Sequence, residues 1–212
     1  IKTDKKNFYI YISVKKKNME IIIHRVNKIK ELKQTSKNFG TEVDIRTNGS
    51  EIILSHDPFV KGDKLKDYLE NYKHKTLVLN LKEAGIEKAV LDLVKKNSIK
   101  SYFLLDVEMP YMYSATKRGQ KNIAVRFSEY EDISLTKDFI DKLKWVWIDT
   151  TTKLPINKNN LKVLSKFKSC LVCPERWGRK KDIKKYKKQL LNIKFKPSAV
   201  MTSLKYVNDW LR

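Results

Sequence analysis

Eight short apolar runs, the first seven each followed by a helical or hairpin-plus-helix stretch, predict an α/β protein. The architecture expected is a (β/α)8 TIM barrel, small and slightly irregular, with an N-terminal extension. Strict strand–helix alternation calls for a parallel sheet, and eight repeats call for its closure. The 212 residues sit near the lower size limit of such barrels, roughly 200. An open doubly wound sheet is the fallback. It would place a Gly-rich phosphate loop after the first strand, and Met19 to Asn27 contains no glycine. Residues 1–212 read as one domain, without internal repeat or linker.

The elements follow in chain order. Phe8 to Val14 reads as an added strand or a cover for the barrel bottom. Met19 to Arg25 is the first barrel strand and ends in His-Arg. A helical stretch, Val26 to Asn38, leads to Gly40 to Arg46, whose period-two alternation marks a strand. Thr47-Asn48-Gly49-Ser50 is a hairpin turn signal, with Glu51 to His56 as the partner strand and Lys64 to Tyr72 as the helix behind it. Further strands are Leu77 to Lys82, Tyr102 to Val107, Asn122 to Phe127, Trp145 to Asp149, Cys170 to Cys173 and Ala199 to Thr202. Between them, Ile86 to Asn97 carries Ile86, Ala89, Val90, Leu93 and Val94 at helical spacing. Tyr111 to Arg118 is helical up to Gly119, a C-cap signal. Thr136 to Leu143, Asn159 to Phe167, Lys180 to Leu191 and Leu204 to Leu211 complete the helices.

Composition narrows the function classes. A hydrophobic fraction of 41% describes a globular chain, and no apolar run approaches a transmembrane segment. With no signal-peptide pattern, a cytoplasmic location is the expectation. The chain starts at Ile1, not Met, so trimming or a lost targeting signal stays open. Lys+Arg 46 against Asp+Glu 24 gives a net charge of +22. Only 7 of those cations are Arg, whereas base-edge reading relies on the planar Arg fork. The lysines occur in spread runs, so no specific nucleic-acid partner is expected, while attraction to phosphorylated substrates or acidic membrane surfaces survives. Cys170 and Cys173 stand alone as a Cys-x-x-Cys pair without a nearby His, on a strand where positions three apart face opposite sides. They read as buried small hydrophobes.

In a barrel the site forms where strands end. The first strand ends in His24-Arg25, and the second carries Glu42 and Asp44 on one side. The hairpin partner ends in His56-Asp57, and the next strand carries Asn80 and Lys82. Later strands end at Asp106 and Glu108, at Arg126, Ser128 and Glu129, at Asp149, and at Glu175 with Trp177 just beyond. Paired carboxylates supply hard oxygens suited to Mg2+ or Ca2+. Arg25 and Lys82 would attract a phosphate, and two histidines could act as general acid and base. His74, between lysines, reads as a surface residue. Asp106, Arg126, Glu129, Asp149, Glu175 and Trp177 are the candidate substrate contacts, their mixed charge suiting a polar substrate.

The ordered set His24-Arg25, Gly40-Thr41-Glu42-Val43-Asp44, His56-Asp57 and Asn80-Leu81-Lys82 resembles the glycerophosphodiester phosphodiesterase family of barrel phosphodiesterases, within the superfamily that includes phosphatidylinositol-specific phospholipase C. The motifs span residues 19–82; beyond them only the strand–helix rhythm matches. The resemblance implies a (β/α)8 barrel that hydrolyses a phosphodiester and a role in lipid metabolism. His24 and His56 would be the acid/base pair, with Arg25 and Lys82 holding the phosphate. Glu42, Asp44 and the residue at position 80 would bind Mg2+ or Ca2+. The substrate would be a small phosphodiester, or a glycan or lipid headgroup. Two departures stand out. Val26 replaces the glycine usual after His-Arg, and Asn80 replaces a metal-binding carboxylate. An uncharged amide oxygen predicts a weaker or relocated cation, with Asp106 as the candidate replacement. It also motivates the alternative of a catalytically impaired barrel that binds a phosphorylated ligand or glycan. A basic nucleic-acid binder ranks last, because it explains none of the strand-end residues.

Overall fold

A computed structural model describes residues 19–211. The extension expected around Phe8 to Val14 lies outside the described residues. The element order is β1 (Glu20–Ile23), α1 (Ile29–Gln34), β2 (Gly40–Asn48), β3 (Glu51–Leu54), β4 (Asp63–Lys64), α2 (Leu65–Glu70), β5 (Leu77–Leu81), α3 (Glu87–Lys96), β6 (Tyr102–Leu105) and α4 (Met109–Lys117). It continues with β7 (Ala124–Phe127), α5 (Ile133–Asp138), β8 (Trp145–Ile148), α6 (Leu161–Leu164), β9 (Lys168–Val172), α7 (Asp182–Asn192), β10 (Ala199–Thr202) and α8 (Val207–Leu211).

Eight of these strands run parallel in a ring: β1, β2, β5, β6, β7, β8, β9, β10 and back to β1. Seven seams are hydrogen-bonded ladders. The eighth, between β6 and β7, rests on a single bridge from Leu104 to Ile123, where the Leu104 N–H donates to the Asn122 carbonyl at 2.9 Å. This is the expected (β/α)8 barrel, with one loose seam.

Period-two alternation separates two apolar layers. Ile22, Val78, Phe103, Leu105, Ala124, Trp145, Trp147, Cys170, Val172, Ala199 and Met201 fill the interior. Alternate residues such as Ile21, Ile23, Val43, Ile45, Leu77 and Leu79 pack outward against the helices. Phe103 is wedged against Trp145, with ring centroids 4.6 Å apart, so the barrel is a filled core and not a pore. The cysteines follow the same alternation. Cys170 faces inward, while Cys173 lies in the outer layer, where its sulfur accepts a hydrogen bond from Trp210 Nε1. At the bottom, Glu20 accepts from the backbone and hydroxyl of Thr76. A Cβ on Gly40 would meet Thr76 O at 2.3 Å and Glu20 Oε1 at 2.9 Å, which explains why the second strand starts on glycine.

Helices depart from expectation at their ends. α5 begins three residues earlier than Thr136 because the Asp132 carboxylate accepts the Ser134 N–H at 2.6 Å and caps it. α1 shortens to six residues and has no cap from its own N-cap side chain; Asp63 of β4 accepts the Ile29 N–H instead, at 2.6 Å. Pairing of the two-residue β4 with β3 was not expected, since two residues carry no period.

Candidate active site

At the C-terminal end of the strands the inward rows switch from apolar to charged. His24 follows Ile22, Glu42 and Asp44 lie on β2, and Asn80 and Lys82 follow Val78. Arg126 follows Ala124, and Asp149 follows Trp147. Each takes its direction from the alternation of its strand, and each sits on the apolar floor made by the interior layer. His24, Glu42, Asn80, Lys82, Asp106, Arg126, Asp149, Arg176 and Trp177 line one cavity of about 120 Å³. That volume holds roughly four waters, enough for a phosphoryl group. Larger cavities exist elsewhere, but none gathers so many convergent charges.

Glu42 and Asp44 are each only 1% exposed. Glu42 accepts from the Arg25 backbone N–H at 2.7 Å and from Asn80 Nδ2 at 2.9 Å, and His24 Nε2 lies 3.8 Å away. Asp44 is ringed by donors: Lys82 Nζ at 3.2 Å, Arg25 Nε at 3.3 Å and Asn27 Nδ2 at 3.0 Å. Asn27 clamps that strand twice, since its Oδ1 also accepts the Asp44 N–H at 2.8 Å. Arg25 makes both of its contacts from a left-handed backbone, φ 55°, and Asp106 adopts φ 57° at the end of β6. Such conformations are costly for residues with a Cβ and concentrate at working sites. Val26, the residue after His24-Arg25, is 4% exposed and packed in the core, and its N–H donates to the Glu42 carbonyl.

A second network lies across the cavity. Arg126 pairs with Asp106 and Asp149, and its Nε lies 3.4 Å from Glu131. Lys82 reaches Asp106 at 3.6 Å and so joins the two networks.

Burial, reinforced by the charges of Arg176, Arg25 and Lys82 and opposed by Asp44, lowers His24 to about 3. Its imidazole is therefore neutral at physiological pH. Burial, followed by the neighbouring charge of Asp44, pushes Glu42 up to about 7, against its hydrogen bonds and Lys82. A raised carboxyl binds its proton more tightly in the folded chain, so its contribution to stability is full below 4.5 and is lost as pH rises through about 7. Glu42→Gln removes that dependence. Measured by denaturant titration with chelator present, the stability of the variant relative to the parent should rise by up to about 3 kcal/mol from acid to neutral pH. A difference flat with pH contradicts the assignment.

The other expected residues are placed differently. His56 lines an adjoining cavity of about 470 Å³ together with Arg25, Asn27, Lys61 and Asp63. Its Nδ1 contacts Asp57 Oδ1 at 2.9 Å and its carbonyl accepts from Arg46. The two histidines therefore line neighbouring cavities, with Arg25 beside both. Glu129 turns away to a third cavity, where it accepts the Thr152 N–H. Glu175 accepts from the Thr202 hydroxyl at 2.7 Å and the Ser203 N–H at 3.0 Å, tying the loop after β9 to the end of β10. His74 Nε2 contacts the Thr35 carbonyl. Asn27, Glu131 and Arg176 were not anticipated.

Asn80 Oδ1 is buried without a partner beside two buried carboxylates. Three oxygens of this kind fit a hard cation, although Asp44 shares its oxygens with Lys82 and Arg25. Among the described residues no cluster of three or more His, Cys, Asp or Glu is arranged for a metal.

The chain folds as a (β/α)8 barrel with charged side chains gathered at the strand ends. The chain superposes on a glycerophosphoryl diester phosphodiesterase, so assigned, from Agrobacterium tumefaciens with a TM-score of 0.62 and 11% identity, covering 87% of this chain and 93% of the other. A second Agrobacterium tumefaciens structure, a glycerophosphodiester phosphodiesterase, gives 0.59 and 10% over 87% and 96%. At these identities the likeness is one of fold. No family model and no curated protein matches the sequence. No helix among the described residues is long and apolar enough to cross a membrane.

Proposed function

We propose that the chain, as a single domain, is a phosphoric diester hydrolase acting on a glycerol- or saccharide-linked phosphodiester. The observation that carries this reading is the convergence of neutral His24, buried Glu42, Asn80 and Lys82 in one strand-end cavity of phosphoryl size. The likeness of fold to two phosphodiesterases supports it.

In this reading Lys82 and Arg25 draw the anionic diester to the strand ends. The phosphorus sits over the small cavity, and one alcohol extends into the larger cavity lined by Arg25 and His56. Water, or a neighbouring substrate hydroxyl, attacks phosphorus; the bond to the leaving oxygen breaks. Attack by the hydroxyl gives a cyclic phosphate that water then opens. His24 takes the proton of the attacking oxygen, and His56, oriented by Asp57, returns one to the leaving alcohol. Asp106, Arg126, Asp149 and Trp177 border the phosphoryl cavity and select the polar group attached to it; Glu129 and Glu175 act from the surrounding loops. Glu42, Asp44 and Asn80 Oδ1 would hold Mg2+ or Ca2+, which when bound stabilises negative charge on the phosphoryl oxygens.

Hydrolysis of bis(p-nitrophenyl) phosphate and glycerophosphocholine, with Mg2+, Ca2+ or chelator, tests the proposal. Turnover that chelation lowers is expected; no turnover of either diester under any condition opposes it. The Asn80 amide bonded to Glu42 favours a second reading, a barrel that binds a phosphorylated ligand or glycan without cleaving it. Asn80→Glu separates the two: if cation affinity and activity appear only in the variant, the parent is a binder.

A further inference from the structure

The two ends of the barrel differ in charge. The strand-to-helix connections at the site end hold eleven Lys or Arg and nine Asp or Glu, nearly in balance. The seven helix-to-strand connections at the opposite end also hold eleven basic residues, but only one acid, Asp141. All eleven are exposed, and ten of them are Lys. A lysine-rich composition alone would load both ends alike. Helix polarity does not absorb the difference either. Seven helix C-termini bring roughly −0.5 each, about −3.5 together, against a surplus of ten positive charges among these connections.

We infer that the end opposite the site is a docking surface for a bilayer rich in acidic lipid. The connections are short, and the cavities lined by charged residues at the strand ends lie at the other end. All seven helix-to-strand connections carry at least one of these basic residues, so the charge is spread round the whole end. Its charges are mobile Lys ammonium groups, which suit a plane of delocalised anions; the one guanidinium, Arg118, already contacts Ser114 and Tyr111. Docked in this way, the barrel points its site away from the lipid, toward soluble diesters. The inference does not depend on the proposed activity.

Sedimentation with vesicles of phosphatidylcholine, with or without about 30% phosphatidylserine at about 0.1 M salt, tests it. The full chain should pellet only with the acidic vesicles and be released as salt is raised. Reversal of Lys73, Lys75, Lys144 and Lys196 to Glu should weaken binding by roughly a hundredfold or more. Reversal of Lys153, Lys158, Lys181 and Lys205 at the site end alters net charge equally and should weaken it far less. Equal weakening by both sets, failure of the parent chain to bind acidic vesicles, or binding of duplex DNA in place of them would overturn the inference. Thermal melting of each variant confirms that it folds, and the salt titration of the parent chain tests the inference without any variant.

Discussion

Replacement of His24 by Gln lowers kcat/KM for a cleaved diester by roughly a thousandfold. His24 is the inward residue that follows Ile22, its side chain is 13% exposed, and its nearest carboxylate is Glu42 at 3.8 Å. It contributes little to packing that Gln cannot replace, so stability should change little while turnover collapses. The pH profile adds a second readout. Since burial and the charges of Arg176, Arg25 and Lys82 hold the imidazole near 3, it stays neutral through the neutral range. Activity should therefore not fall on an acid limb near 6.5 on account of His24. Single-turnover kinetics with parent and variant across pH would check both points; a variant within a few fold of the parent chain would remove His24 from the chemistry.

Loss of Arg126 should destabilise the folded chain. Arg126→Met leaves Asp106, Asp149 and Glu131 facing one another without their shared cation. Asp149, with an 8% exposed side chain, is already raised by burial, and Arg126 is the cation that opposes this. Breaking a fully buried pair costs about 3–5 kcal/mol, but the Arg126 side chain is 38% exposed, so solvent screening reduces the expected loss to about 2 kcal/mol. The loss should shrink on acidification, as the carboxylates take up protons and no longer need a counter-ion. Denaturant titrations at neutral and acid pH measure it. An unchanged midpoint, or a loss independent of pH, would mean that the network is a loose surface cluster.

Much of the site was legible because strand alternation does not stop at the strand end. Once Ile22, Val78, Ala124 and Trp147 are recognised as inward, His24, Asn80, Lys82, Arg126 and Asp149 must face the same way. That inference needs only period two. It fails where the chain leaves the strand. Nothing in Ser128-Glu129-Tyr130-Glu131 says which glutamate bends back to Arg126, and the structure uses Glu131 while Glu129 caps a different loop. Trp177 was expected just past a strand end but Arg176 was not; both reach the cavity from a 3-10 turn at Pro174–Trp177. His56 was expected beside His24, but the hairpin of β2 and β3 carries it to the adjoining cavity. Asn27 could have been found: a lone Asn three residues past the first strand-end histidine is a natural clamp for a neighbouring strand. The one-sided charge of the barrel ends was invisible in the total of +22, because it becomes apparent only when connections are sorted by the end on which they lie.

The most direct test of the account is a crystal of the protein soaked with Mn2+ and glycerol 3-phosphate. The account predicts anomalous density for the ion among Glu42, Asp44 and Asn80, with the phosphate within hydrogen-bonding reach of His24 and Lys82. Phosphate bound only in the Arg25–His56 cavity, with Glu42 and Asp44 still paired to protein groups alone, would contradict it.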